Sequence, residues 1–160
     1  MTRGTVSRRN VFAMGACALV GAAALPAADR ATALKGQRLE NEDIVRKWYA
    51  AWDNKDLGAF NALLADNFTF SSAAGDDHLS KTVFKSRCWD TQVEFIQHID
   101  LERISTGEDD AFVKYLCHTM NGKTLRNVEY LRIKDGKLES IECYFGAQSS
   151  FPSAVSTGQK

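Results

Sequence analysis

The stretch "TLRNVEYLRIKDGKLESIECYFG", residues 124–146, decides the fold because it predicts a β-hairpin with one unusual residue. Apolar and polar side chains alternate on both sides of the Asp135-Gly136 turn, a pattern typical of two half-buried strands. Glu129 nevertheless falls on the same face as the apolar residue Leu131. A carboxylate on an apolar sheet face is costly unless it is paired or protonated. Glu129 is therefore the first candidate for a functional residue.

A second hairpin is predicted just before the first, because "AFVKYLCHTM" (residues 111–120) is followed by an Asn-Gly turn signal. We take both connections as three-residue loops, 120–122 and 134–136. One face of the resulting meander then carries a largely apolar set of residues: Val113, Tyr115, Cys117, Leu125, Asn127, Glu129, Leu131, Ile141, Cys143 and Phe145.

In this register Glu129 lies opposite Val113 on one side and Ile141 on the other, and Asn127 is the other strongly polar group on the face. A one-residue slip would mix the polar and apolar faces, which favours the register chosen. A two-residue first loop remains an alternative. It would set Lys114 opposite Glu129 and turn the buried carboxyl into half of a surface ion pair.

The chain before the meander predicts helices. Residues 40–52 form an amphipathic helix, because their apolar side chains recur at helical spacing: Ile44, Val45, Trp48, Tyr49 and Trp52. Asp56 suits the N-cap of a second helix, and Ser80 suits that of a third, which ends near Trp89. Strand-like segments at 67–72 and 95–105 and a loop at 71–78 complete the pattern. Helices first and a meander afterwards predict one α+β domain.

The first 33 residues are predicted to be an export signal that lies outside the folded domain. They combine a basic start, an uncharged run and small residues before a cleavage point after Ala33. "SRRNVF" resembles the twin-arginine motif, which implies a bacterial protein that is periplasmic or secreted. A plain secretory signal, or a lipoprotein anchored at Cys17, is the alternative. The predicted domains are the signal 1–33, a disordered lead-in 34–39, the folded domain 40–146 and a flexible tail 147–160.

Composition excludes several classes of function. The chain has 20 basic and 20 acidic residues, and four of the arginines lie in the signal, so the body offers no electrostatic footprint for nucleic acid. The uncharged run is too short and too weakly apolar to predict a membrane span. Cys88, Cys117 and Cys143 have no metal-ligand spacing and are expected to be buried thiols. We expect neither a metal nor a cofactor.

Two segments resemble a known superfamily. "VRKWYAAWDNKDLGAFNALLADNFTFSS" (45–72) looks like the opening of SnoaL-like and ketosteroid-isomerase-like domains, and "YLRIKDGKLESIECYFG" (130–146) looks like their closing hairpin. The resemblance implies the nuclear-transport-factor-2-like architecture, in which three N-terminal helices pack on a curved antiparallel sheet around a conical pocket. It implies little about chemistry, because this fold hosts isomerases, cyclases, hydrolases, dehydratases and binding modules.

The steroid-isomerase pattern can be carried over by position. The protonated acid of its oxyanion hole corresponds to Glu129, its tyrosine to Trp48 and its aspartate base to Ser72. Two of the three chemical roles are therefore missing, and steroid isomerisation is not expected.

Asp76, Asp77 and His78 form an acidic loop before the third helix, a position that the resemblance places near the pocket mouth. An Asp77–His78 pair would be a plausible base with its orienting group. Alternatively, these acids only favour the N-terminus of the helix that follows. Metal binding by the three side chains is a weaker alternative.

The hypothesis that follows is an exported, cofactor-free enzyme that moves protons on a small apolar molecule by isomerisation, cyclisation or dehydration. Its predicted catalytic residues are Glu129, His78 and Asp77. Its predicted substrate-binding residues are Asn127, Tyr115, Trp48, Trp52, Ile141 and Phe145. The alternative is a binding module of the same fold for a small molecule or a protein. A homodimer through the outer sheet face, with Leu116, Val128, Tyr130 and Tyr144, is also expected.

Export can be tested in cells. Changing Arg8 and Arg9 together to lysine is expected to trap the full-length chain in the cytoplasm, because the twin-arginine pathway depends on the arginine pair. Immunoblotting of cytoplasmic and exported fractions measures the outcome. Normal export of this variant, with loss only when the apolar run is broken, would identify an ordinary secretory signal.

Overall fold

The computed structural model describes residues 26–145. Most of the predicted signal and the whole predicted tail lie outside the described residues, as do Arg8, Arg9 and Cys17. The helices are α1 (Ala27–Asp53), α2 (Leu57–Leu63) and α3 (81–92). The strands are β1 (Leu64–Ser72), β2 (Leu79–Ser80), β3 (Ile96–Thr106), β4 (Asp110–Thr119), β5 (Thr124–Lys134) and β6 (Lys137–Phe145).

The six strands form one sheet in the order β2-β1-β6-β5-β4-β3. The α+β class, the three helices and the antiparallel meander β3 to β6 are confirmed. The sheet is nevertheless mixed, because β1 runs parallel to β6. The loop predicted at 71–78 is followed by a strand that the sequence did not indicate, the two-residue β2, which pairs with β1.

Helix α1 is longer than predicted, since it begins at Ala27 and not at residue 40. Residues 34–39, predicted as a disordered lead-in, are helical here, and the leucine, lysine, glutamine and arginine residues of this segment are strong helix formers. Burial begins only at Asn41. The buried stripe beyond it contains the residues expected from the helical spacing: Val45, Trp48, Tyr49 and Trp52.

Helix α1 is tied to the sheet at both ends of its buried part. The fully buried Asn41 donates from Nδ2 to the carbonyl oxygens of Gly107 and Glu108, at 3.3 and 3.1 Å, in the turn after β3. Near the other end, the Asp53 carboxylate accepts the backbone N–H of Ile99 at 2.8 Å. These contacts fix α1 along β3. Helix α1 therefore forms one wall of the space between the helices and the sheet.

Helices α2 and α3 begin where the sequence indicates. Asp56 caps α2 by accepting the N–H of Ala59 at 2.9 Å. Ser80 precedes α3 but makes no side-chain capping bond. The middle of α3, Lys85–Trp89, is a π-helical turn. Such turns are rare and occur often at functional sites.

The first hairpin has the predicted register. Val113 pairs with Glu129, and Gly122, with φ of +79°, closes the three-residue loop. Lys114 pairs with Val128 instead and bonds Glu102 at 2.7 Å. The surface ion pair between Lys114 and Glu129 is therefore excluded.

The second hairpin corrects the prediction. Its loop is the two residues Asp135 and Gly136, whose φ angles of 50° and 74° fit a type I′ turn. Pairing continued from this shorter loop without interruption would have set Glu129 opposite Glu142, on the face opposite to that of Ile141 and Cys143. A β-bulge between Arg132 and Ile133 restores the alternation, so Glu129 lies opposite Cys143 and not Ile141.

The core lies between the helices and the inner sheet face. It is unusually aromatic, and its rings contact one another at centroid distances between 4.4 and 6.3 Å. The members of this cluster are Trp48, Trp52, Phe60, Phe68, Phe70, Phe84 and Trp89. Among the described residues, no helix combines the length and the apolarity that crossing a membrane would need.

Candidate functional site

A cavity of about 1030 Å³ opens between α1, α3 and the inner face of the sheet. Its walls are mostly aromatic and aliphatic side chains, with a few polar groups among them, as is usual for small-molecule sites. All six residues predicted to bind a substrate line it: Trp48, Trp52, Tyr115, Asn127, Ile141 and Phe145.

Glu129 lies in the wall of this cavity, with 8% of its surface exposed. Its two carboxyl oxygens accept hydrogen bonds from different elements. Tyr49 Oη of α1 donates to Oε2 at 2.7 Å, and Tyr115 Oη of β4 donates to Oε1 at 2.7 Å. The carboxyl is thus fixed in position by two phenols.

Burial raises the pKa of Glu129, and the hydrogen bonds from Tyr49, Tyr115 and Cys143 offset this only in part. Burial and the nearby Glu129 also raise the pKa of Tyr49 and that of Tyr115 well above the ordinary value, so both phenols keep their protons. Glu129 therefore holds its proton to a higher pH than a solvated glutamate does. It is suited to donate a hydrogen bond or a proton towards the cavity.

Asn127 extends this network towards the opening. Its Nδ2 donates to Tyr115 Oη at 3.0 Å, while Tyr115 donates to Glu129. The chain of bonds runs from half-buried Asn127 through Tyr115 to the buried carboxyl. A ligand that contacts Asn127 is thereby coupled to Glu129.

The other two predicted catalytic residues are not in the cavity. The side chains of Asp77 and His78 are 83% and 75% exposed and contact each other at 2.5 Å. His78 has a left-handed backbone, with φ of 48°, and its N–H donates to Ser71 Oγ at 3.1 Å. Neither side chain lines the cavity, so the catalytic role predicted for Asp77 and His78 has no geometric support in the cavity wall.

Their neighbour Asp76 lines the cavity instead. Its Oδ2 accepts from Ser72 Oγ at 2.7 Å, and its Oδ1 contacts Arg87 Nη2 at 2.9 Å. The sequence marked the acidic loop but could not tell which acid turns inward. One pattern could have indicated the inward-facing acid. Alternation along β1 places Ser72, the partner of Asp76, on the inner face together with Phe68 and Phe70.

The three cysteines of the domain all line the cavity as free thiols. Burial raises the pKa of Cys88 to about 11 and also raises that of Cys117 and Cys143. Thiols in this state are poor nucleophiles. Within residues 26–145, no group of three or more His, Cys, Asp or Glu side chains is arranged to hold a metal ion, so the metal alternative for the acidic loop has no support.

Comparison with known proteins gives one family and a shared fold. The model of the SnoaL-like domain matches residues 45–141. No curated protein matches the sequence. An NTF-2-like protein of unknown function from Burkholderia xenovorans superposes with a TM-score of 0.63 at 14% identity, over 78% of this chain and 96% of that chain.

Two further solved structures are similar at 20% identity and a TM-score of 0.55. One is an NTF2-like protein of unknown function from Cytophaga hutchinsonii, covering 69% of this chain and 94% of that one. The other is a protein with a ketosteroid-isomerase-like fold from Catenulispora acidiphila, in complex with trimethylamine, covering 69% and 95%. At such identities these structures support the fold alone.

The buried carboxyl makes a prediction about stability. Glu129→Gln should stay folded and lose about 1 kcal/mol of unfolding free energy at acidic pH, because an amide cannot accept from both tyrosines as a carboxyl does. Glu129→Ala should lose more, since it leaves a cavity and two unpaired phenols. Denaturant unfolding followed by tryptophan fluorescence measures both.

The difference between wild type and Glu129→Gln should also depend on pH. The folded pKa is raised, so ionisation of Glu129 favours the unfolded chain. The wild-type advantage should be full below the unfolded pKa of about 4.3 and should decline as the pH rises towards the folded pKa. An advantage that instead grows over this range would mean that Glu129 is stabilised as a carboxylate.

Proposed function

The chain belongs to the SnoaL-like domain family, and we propose that it is an exported enzyme that performs proton transfer, without a cofactor, on a small apolar molecule. The observation that carries the proposal is Glu129, a carboxyl with a raised pKa held by two tyrosines in the wall of an aromatic cavity. Carboxyls kept neutral in this way are efficient hydrogen-bond and proton donors near neutral pH.

The chemistry follows from what such a carboxyl can do. A ligand that carries a carbonyl or hydroxyl oxygen would place it against Glu129, with its apolar body between Trp48, Trp52 and Phe84. Donation to that oxygen favours enolisation of a ketone or departure of a hydroxyl. Isomerisation, cyclisation and dehydration all share this step, and the cavity is large enough for a ligand of several fused rings.

A binding module is the second candidate function. One observation favours it: both oxygens of Glu129 are already bonded to protein groups, as a carboxyl that only orders the core would be. The two candidates differ in what a proton-exchange assay would measure. A module binds the ligand without exchanging its protons.

The test uses β-tetralone, a flat apolar bicyclic ketone with weakly acidic C–H groups beside its carbonyl. In D₂O, wild type should accelerate exchange of these hydrogens, followed by proton NMR, and Glu129→Gln should reduce the acceleration at least about 100-fold. Both proteins should bind the ketone, measured by quenching of tryptophan fluorescence. The matched control is Glu142→Gln on the outer face of β6, which should exchange at the wild-type rate.

Binding by both proteins without accelerated exchange would favour the module. Failure of β-tetralone to bind would count against both versions of the proposed pocket function.

Export is part of the proposal and rests on the segment "SRRNVF". The periplasm or the medium would then be where the substrate is met. The double lysine variant described above decides this part independently of the cavity.

We also propose a homodimer through the outer sheet face. The outer side chains of Phe112, Val128 and Tyr144 are all more than one-third exposed, and Phe112 packs against Tyr130 with the ring centroids 4.7 Å apart. Exposed apolar groups of this kind, grouped on one face, are typical of interfaces. Light scattering should give twice the mass of one chain.

The variant Val128→Lys should lower the dimer affinity, because it buries a charge at the interface. Leu39→Lys, a change at an exposed apolar residue of α1, is the control and should leave the dimer intact. A wild-type monomer over a wide concentration range would remove this proposal.

A further inference from the structure

We infer that Asp76 is the second acid–base group of the cavity and acts together with Glu129 on one ligand. The inference rests on the proposed function and adds to it the group that removes a proton from carbon. A single carboxyl that donates to an oxygen cannot also take a proton from a carbon several ångströms away. Proton-transfer enzymes therefore use two groups that converge on one ligand.

Asp76 and Glu129 both line the cavity, and the sheet shows how their anchoring positions are related. Ser72 of β1 pairs with Cys143 of β6, and Cys143 pairs with Glu129 of β5. The three residues thus form one row across adjacent strands on the inner face. With a strand spacing of roughly 4.8 Å, the backbones of Ser72 and Glu129 are about 10 Å apart. A flat ring system lying over Cys143, in the middle of the row, would reach the groups at both ends.

Asp76 is fixed to the Ser72 end of this row by three contacts. Ser72 Oγ donates to Asp76 Oδ2 at 2.7 Å, and the Ser72 backbone N–H donates to the Asp76 carbonyl oxygen at 3.0 Å. Arg87 contacts Oδ1 at 2.9 Å. The side chain of Asp76 is only 16% exposed, whereas that of Asp77 is 83% exposed. Asp76 is therefore the member of the acidic loop that is built into the site.

The π-helical turn of α3 supplies the third contact of Asp76. It carries Arg87, which reaches Asp76, and Cys88, which lines the cavity. Arg87 gives Asp76 a cationic partner that holds its carboxylate oxygen in place at 2.9 Å. The partners of Glu129 are phenols instead. The two carboxyls of the cavity are thus held by different kinds of partner.

Every proton that is moved during enolisation of the ligand has a donor and an acceptor. The Asp76 carboxylate takes a proton from a C–H group beside the ligand carbonyl, and the electron pair of that bond becomes the C=C bond of an enol. The carbonyl oxygen receives a proton from Glu129. Return of the two protons, to the same carbon or to another one, restores both carboxyls and requires no oxidant or reductant.

The experiment is the β-tetralone exchange assay on the mature protein with Asp76→Asn. Exchange should fall at least about 100-fold relative to wild type, while the ketone still quenches tryptophan fluorescence with its affinity changed less than threefold. The matched control is Asp77→Asn, the same change at the adjacent exposed carboxyl, which should exchange at the wild-type rate. Ser72→Ala, which removes one anchor of Asp76, should give an intermediate rate.

Circular dichroism and thermal melting verify that each variant folds, and Asp76→Ser serves as the second test should the asparagine variant melt early. If Asp76→Asn or Asp76→Ser exchanges at the wild-type rate while Glu129→Gln does not exchange, this inference is overturned and the proposed function stands. If wild type does not accelerate exchange at all, the proposed function fails and the inference fails with it.

Discussion

The burial of one carboxyl constrains the rest of this structure. Glu129 is 8% exposed and remains in an apolar wall because Tyr49 and Tyr115 each donate to one of its oxygens at 2.7 Å. A buried carboxyl that loses its partners costs several kcal/mol. Tyr49 is on α1, and Tyr115 is on β4. Movement of α1 away from the sheet would therefore break the hydrogen bond from Tyr49 to Glu129. The Tyr49 bond thus acts together with the contacts of Asn41 and Asp53 in holding α1 at a fixed distance from the sheet.

The fold could be predicted to the extent that alternation along the strands determines it. The β4–β5 register follows from the apolar face and an Asn-Gly loop, and the structure confirms Val113 opposite Glu129. The β5–β6 register could not be predicted, because a shorter turn and a bulge at Arg132–Ile133 act together. The bulge does leave a trace, because the buried Leu138 and Ile141 are three residues apart and interrupt the alternation along β6, but this spacing alone does not give the length of the turn. The parallel pairing of β1 with β6 could not be predicted from the sequence either, since it joins segments far apart in the chain.

The candidate site could be predicted where a residue breaks a pattern. Glu129 and Asn127 stood out because they are polar on an apolar face, and all six predicted binding residues do line the cavity. Asp76, Asp77 and His78 break no pattern, because loop residues have no periodicity. Which of them points inward depends on Ser72, on Arg87 and on the left-handed backbone of His78. These are tertiary contacts, which local sequence does not record, and of the three residues only Asp76 lines the cavity.

The pairing of β1 with β6 has a consequence for the order of folding. The contact between Tyr49 and Glu129 spans 80 residues, and the row that joins Ser72 to Glu129 passes through β6, the last strand. Closing such long loops is entropically expensive and slow. The hairpins β3–β4, β4–β5 and β5–β6 can all form early from local contacts, whereas the cavity wall is completed only when β1 pairs with β6. Substitutions in β1 should therefore act mainly on the late steps of folding, because Phe68, Phe70 and Ser72 reach the core and the cavity only through this pairing.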